Sequence, residues 1–87
     1  RAPVRRWSAA AEKIALDHET QRLIESAIAR MSEAYRDVYV LSDVEGIPNA
    51  EIGTMLGLSL PAVKSRLHRA RLMMREALAP YFEEAAP

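Results

Sequence analysis

The chain contains no cysteine, which excludes disulfides, thiolate zinc sites and a cysteine nucleophile and fits a reducing cytoplasm. Its two histidines, His18 and His68, lie far apart. Only Asp17 and Glu19 beside His18 sit where carboxylate partners would be needed, so neither a metal site nor any other cofactor is expected. No apolar run approaches the ~18 residues of a membrane span, and residues 1–6 lead into no signal-type stretch. A cytoplasmic protein without membrane association is the expectation. Glycine is scarce, at three residues, and 87 residues leave room for one domain with a modest core, which argues against a large cleft enzyme. The chain opens with arginine instead of methionine, as a piece of a longer protein or a processed product would.

Net charge is absent as well: 12 lysines and arginines balance 12 aspartates and glutamates. That total alone argues against a nucleic-acid binder, but its distribution argues the other way. Across residues 32–58 the acids Glu33, Asp37, Asp43, Glu45 and Glu51 face a lone Arg36. Across residues 59–75 every charge is positive: Lys64, Arg66, Arg69, Arg71 and Arg75, with His68 among them. Segregation of this kind marks a local basic surface that the sum conceals.

Hydrophobic periodicity divides the chain. Residues 1–18 read as a linker, helical in part or disordered, with Pro3, an alanine run and a solitary Trp7. From residue 19 the spacing of Leu23, Ile24, Ala27, Ile28 and Met31 is that of an amphipathic helix, with Asp17 placed to cap it. Ser32 is an N-cap candidate for a second helix through residue 44, whose Tyr35, Val38, Tyr39, Leu41 and Val44 predict burial on most sides. Glu45-Gly46-Ile47-Pro48 has turn composition. A short third helix fits residues 49–56 with Ile52, Met55 and Leu56 inward, and Gly57 follows where a left-handed residue is wanted. Ser59 then caps a fourth helix, which tolerates Pro61 in its first turn and is expected to stop or kink at Pro80, after Ala79. The domain spans residues 19–82, and 83–87 form a tail. No β pattern competes, so the fold class is all-α, a four-helix domain with a C-terminal helix-turn-helix, related to winged-helix proteins but without the wing.

At ~100° per residue, Val63, Leu67, Ala70, Met74 and Leu78 form the buried stripe of the fourth helix. Lys64, Ser65, His68 and Arg69 lie opposite, near the end that a recognition helix inserts into the major groove. Arg66 and Arg71 flank the stripe, better placed for phosphates than for base edges. A charged helical face is often merely solvated. Here the short preceding helix, the Gly57 turn, the Ser59 cap and the lack of acids between Ser59 and Arg75 together favour DNA. No nucleophile or carboxylate accompanies His68, and no catalytic role is expected. Tyr35 and Tyr39 read as core residues, whereas Leu72 and Met73 fall off the stripe and are candidates for a protein contact.

The runs Tyr35-Arg36-Asp37-Val38, Asp43-Val44-Glu45-Gly46, Glu51-Ile52, Leu56-Gly57-Leu58-Ser59 and Val63-Lys64-Ser65-Arg66-Leu67-His68-Arg69-Ala70-Arg71 resemble region 4 of the extracytoplasmic-function sigma factors. The resemblance covers about residues 19–78, and its last run is the most specific. It implies a C-terminal domain that reads the minus-35 promoter element in double-stranded DNA while docked on the β-subunit flap of RNA polymerase. It also implies regulation by an anti-sigma factor and a monomeric state without partners. Lys64, Ser65, Arg66, His68 and Arg69 match positions that face DNA in that family. Three residues depart from its pattern: Pro48 in place of a serine or threonine cap, Gly53 in place of alanine, and Ala62 in place of threonine. The first two are expected to loosen the third helix, and the third removes a hydroxyl near the groove. Two other readings compete: a stand-alone regulator of the response-regulator output type, acting as a dimer, and an interaction module whose basic helix binds an acidic anti-sigma partner.

Overall fold

A computed structural model of the chain describes residues 18–85, with side chains from 18 to 81. The Asp17 cap, Trp7 and the linker before His18 lie outside the described residues. Four α-helices follow one another: α1 (His18–Arg30), α2 (Glu33–Tyr39), continued by a π-helical turn (Val40–Val44), α3 (Asn49–Leu56) and α4 (Leu60–Ala85). There is no strand among the described residues. The expected all-α architecture is the observed one.

In α1, Ala27 is buried and Ile24 and Ile28 are half-buried, as the three-and-four spacing requires. Glu19 in its first turn and Arg30 in its last complement the helix dipole. The chain leaves α1 through Met31, whose carbonyl accepts a hydrogen bond from the Arg36 Nη1 at 3.3 Å. Ser32 stands at the expected N-cap of α2 with extended dihedrals, but its hydroxyl makes no capping bond. Its carbonyl instead accepts from the amides of Tyr35 and Arg36, at 3.1 and 2.9 Å.

The sequence predicts one regular helix over 32–44, whereas the last five of those residues form the wider turn. Glu45 N donates to Val40 O, five residues back, and Ile47 N to Leu41 O, six back, both at 2.9 Å. Gly46, at φ 75°, closes the turn in the left-handed region that suits glycine. The result is a glycine-terminated closure one residue wider than usual. Val44 thereby packs with one apolar cluster while Leu41 packs with the other.

α4 is the common wall, packed against α1, α2 and α3. Its 26 residues span roughly 39 Å at 1.5 Å per residue, close to the 41 Å longest dimension of the described residues. One cluster joins Ala27, Met31, Tyr39, Ala70 and Met74, with Tyr35, Met73 and Leu78 against it. The second joins Val38, Ile52 and Val63, with Leu41, Ile47, Leu56 and Leu58 around them. Tyr35 and Tyr39 are thus core residues as expected. Met73 packs on the core and leaves Leu72, 40% exposed, as the one member of that pair open to solvent.

Two expectations need correction. Met55 is not inward but 53% exposed. The buried face of α3 is centred on Ile52, Gly53 and Leu56, with Gly53 turned inward, and Met55 falls about 100° from that centre. Nor does α4 stop near Ala79, because it runs through Pro80 to Ala85. Proline there removes the amide that would bond to the Glu76 carbonyl. Glu76 and Pro80 are both exposed, so water can satisfy that carbonyl.

Candidate nucleic-acid interface

The connection between α3 and α4 sets how the basic helix is presented. Gly57 ends α3 in the left-handed region, at φ 69° and ψ 37°, and its amide bonds to the Gly53 carbonyl. The Leu58 amide bonds to the same carbonyl at 2.8 Å, and Leu58 packs into the cluster of Ile52. The Leu58 bond is the six-to-one bond of a Schellman closure and the Gly57 bond the five-to-one bond of the left-handed cap, with the accompanying apolar contact made by Leu58. Nothing lies within 4 Å of a Cβ added at Gly57, so its constraint is dihedral alone.

Gly53 is different, because a Cβ there would lie 2.6 Å from the Leu58 carbonyl oxygen and 3.6 Å from Val63 Cγ2. The turn folds back onto Gly53 at a distance only glycine permits. The expected loosening of α3 by this residue is therefore not its main effect, since its bareness allows the tight approach. At the other end of α3, Pro48 caps with its carbonyl only, accepting from Glu51 and Ile52 at 3.0 Å each. Ser59 opens α4 as expected: Ala62 N donates to its Oγ at 3.2 Å and Val63 N to its carbonyl oxygen at 3.0 Å.

Val63, Leu67, Ala70 and Met74 are buried along α4, at 0 to 5% exposure. Lys64, Ser65, His68 and Arg69 are all exposed on the far side, and Arg66 is half-buried at the margin. On helical geometry Lys64 and Arg69 stand roughly 140° apart with Ser65 and His68 between them. Two cations thus flank a hydroxyl and an imidazole on the exposed side of the helix, in a stretch from Ser59 to Arg75 without a carboxylate.

Arg71 stands apart from the others. Its Nε and Nη2 donate to Asp43 Oδ2 and Oδ1 at 2.9 and 2.7 Å, a two-pronged pair across 28 residues of sequence. The hydrogen bonds to Asp43 raise the Arg71 pKa still further above its usual value. The Tyr39 phenol beside this pair is also raised, chiefly by burial and then by the Asp43 charge, with Arg71 opposing. Sequence reasoning missed the pair because nothing local marks two residues so far apart as neighbours. Asp43→Asn is expected to cost a few tenths to about 1 kcal/mol, since Arg71 is half-exposed and water screens the pair. It should also tighten low-salt binding to DNA by releasing one cation. Thermal melting and duplex titration check both, and weakened DNA binding would show that the pair serves to aim α4.

A short helix, a glycine-closed turn and a second helix whose leading part, through Arg75, presents an exposed basic face without a carboxylate define a helix-turn-helix domain. The chain matches the family Sigma-70, region 4, over residues 21–74. It is similar to the ECF RNA polymerase sigma factor SigE of Mycolicibacterium smegmatis, with 36% identity over 86% of this chain and 29% of that protein. It is also similar to the RNA polymerase sigma factor SigZ of Bacillus subtilis, at 34% identity over 78% of this chain and 39% of that protein. The ECF RNA polymerase sigma factor SigW of the same organism is 33% identical over 69% of this chain and 32% of that protein. The chain therefore spans between 29 and 39% of the length of these relatives. No solved structure matches it. The chain belongs to the sigma-70 region 4 family, and relatives it matches are sigma factors of the extracytoplasmic-function type. No helix among the described residues is long and apolar enough to cross a membrane.

Proposed function

We propose that this domain reads the minus-35 element of promoters by inserting the leading half of α4 into the major groove, as part of a sigma factor bound to RNA polymerase in the cytoplasm. The observation that carries this reading is the exposed row of Lys64, Ser65, His68 and Arg69 on the face of α4 opposite its buried stripe. Ser65 and His68, central on that face, read base edges, and Lys64 and Arg69 grip the duplex to either side. Arg66 reaches a phosphate from the margin. Arg71, the sixth candidate, contributes only where the duplex draws it away from Asp43. The stand-alone regulator is not favoured beside the family match.

A single module of this kind buries only ~600 to 1,000 Å² of protein surface on DNA. The isolated chain should accordingly bind as a monomer, in the micromolar range or weaker at physiological salt. Docking on the polymerase flap supplies the missing affinity by raising effective concentration, and an anti-sigma factor that covers the basic face of α4 would switch the domain off.

Arg69→Ala is expected to weaken duplex binding and to lower the slope of log affinity against log salt by about one, with helicity unchanged because the side chain points away from the core. The test is a salt titration on promoter and scrambled duplexes, with circular dichroism alongside, repeated with core polymerase. Nanomolar, sequence-selective binding by the isolated chain at physiological salt would overturn the tethered reading in favour of a stand-alone regulator.

A further inference from the structure

The leading turn of α4 is chemically unlike the basic row behind it. Leu60 is 42% exposed and belongs to neither apolar cluster, so a large hydrophobic side chain stands in water at the tip of the helix. Pro61 beside it is exposed and carries no amide hydrogen. The amides of Ala62 and Val63 are already bonded to Ser59, one to its hydroxyl and one to its carbonyl. Of the first four positions only the Leu60 amide remains open, and no side chain in the turn can donate or accept. Lys64 follows Leu60 by one turn and His68 by two, along one i, i+4 row. Leu60 itself projects about 40° from Lys64, toward the side of the buried stripe. It stands at the end of α4 that enters a groove first, so cations that draw the helix onto a duplex bring this apolar tip with them.

With no side chain in the turn able to donate or accept and one backbone amide left open, the tip can read little of the hydrogen-bonding pattern of base edges. Of the groups displayed in the major groove, the one it can bury favourably is the C5-methyl of thymine. We infer that Leu60, supported by Pro61, is a specificity-determining residue that selects thymine at one position of the recognised element through its methyl group. This rests on the reading of α4 as a major-groove helix. Cytosine methylated at C5 presents the same group at the same place, so the contact tolerates methylcytosine better than cytosine.

The chain is first used at low salt to select duplexes from a random-sequence pool. Each thymine of the selected element is then replaced singly by uracil, which differs only in lacking the methyl. Loss of one buried methyl corresponds to about a three- to five-fold weakening, expected at a single thymine, while 5-methylcytosine there should exceed cytosine by a similar factor. With Leu60→Ala the thymine and uracil duplexes should bind alike, and circular dichroism should be unchanged because Leu60 lies outside both clusters. The uracil series on the unaltered chain needs no variant to fold. Selective binding that is indifferent to uracil at every position overturns this inference alone, as does an undiminished uracil effect with Leu60→Ala. Failure to retain any duplex overturns the promoter reading and this inference with it.

Discussion

Leu67→Ala is expected to destabilise the domain by about 2 to 5 kcal/mol, the largest effect of any single substitution considered. Leu67 is 2% exposed and lies on the α4 stripe between Val63, which belongs to one apolar cluster, and Ala70, which belongs to the other. Truncation removes three heavy atoms from a packed interior and leaves a void that neighbouring helices can close only in part. A domain of this size has a total stability on the order of 5 to 10 kcal/mol, so the loss is a large share of the whole. Urea unfolding followed by circular dichroism gives the number. A midpoint within error of the parent's would mean that the face assignment of α4 is wrong, and with it the placement of Lys64 and Arg69 toward DNA.

The second large effect is expected at Gly53. Replacing an interior helical glycine by alanine ordinarily gains up to about 1 kcal/mol, because alanine is the better helix former. Here that gain is outweighed. The new Cβ would meet the Leu58 carbonyl oxygen at 2.6 Å, and this oxygen belongs to a turn whose own amide is bonded back to Gly53. The turn must move outward, at a cost of about 1 to 3 kcal/mol typical of overpacked sites. Since Leu58 leads directly into the Ser59 cap, α4 tilts with it. Gly53→Ala should therefore lose both stability and DNA affinity. Unfolding and duplex titration on the same preparation separate the two, and a variant as stable as the parent with unchanged affinity would show that the turn relaxes freely.

The sequence by itself determined the helices and the side of α4 that is basic, for a physical reason: both are local. Helical periodicity, the glycine at 57, the serine at 59 and the unbroken run of positive charge after it are properties of neighbouring residues, and short-range sterics and hydrogen bonding act on them directly. The family resemblance rests on the same residues, and the match over 21–74 agrees with it. Tertiary structure alone decided the rest, because it depends on which distant parts approach one another. Met55 carries the apolar signal of a core residue, yet bare Gly53 holds the inward position, and a glycine shows no hydrophobicity to be read. Pro80 carries a stop signal, because it removes an amide bond and crowds the Glu76 carbonyl, yet α4 runs through it on an exposed flank where water reaches that carbonyl. Arg71 and Asp43 look like two ordinary surface charges until the π-helical turn brings the carboxylate against α4. Local chemistry wrote which groups face outward, and packing between helices decided which of those groups remain free to meet a duplex.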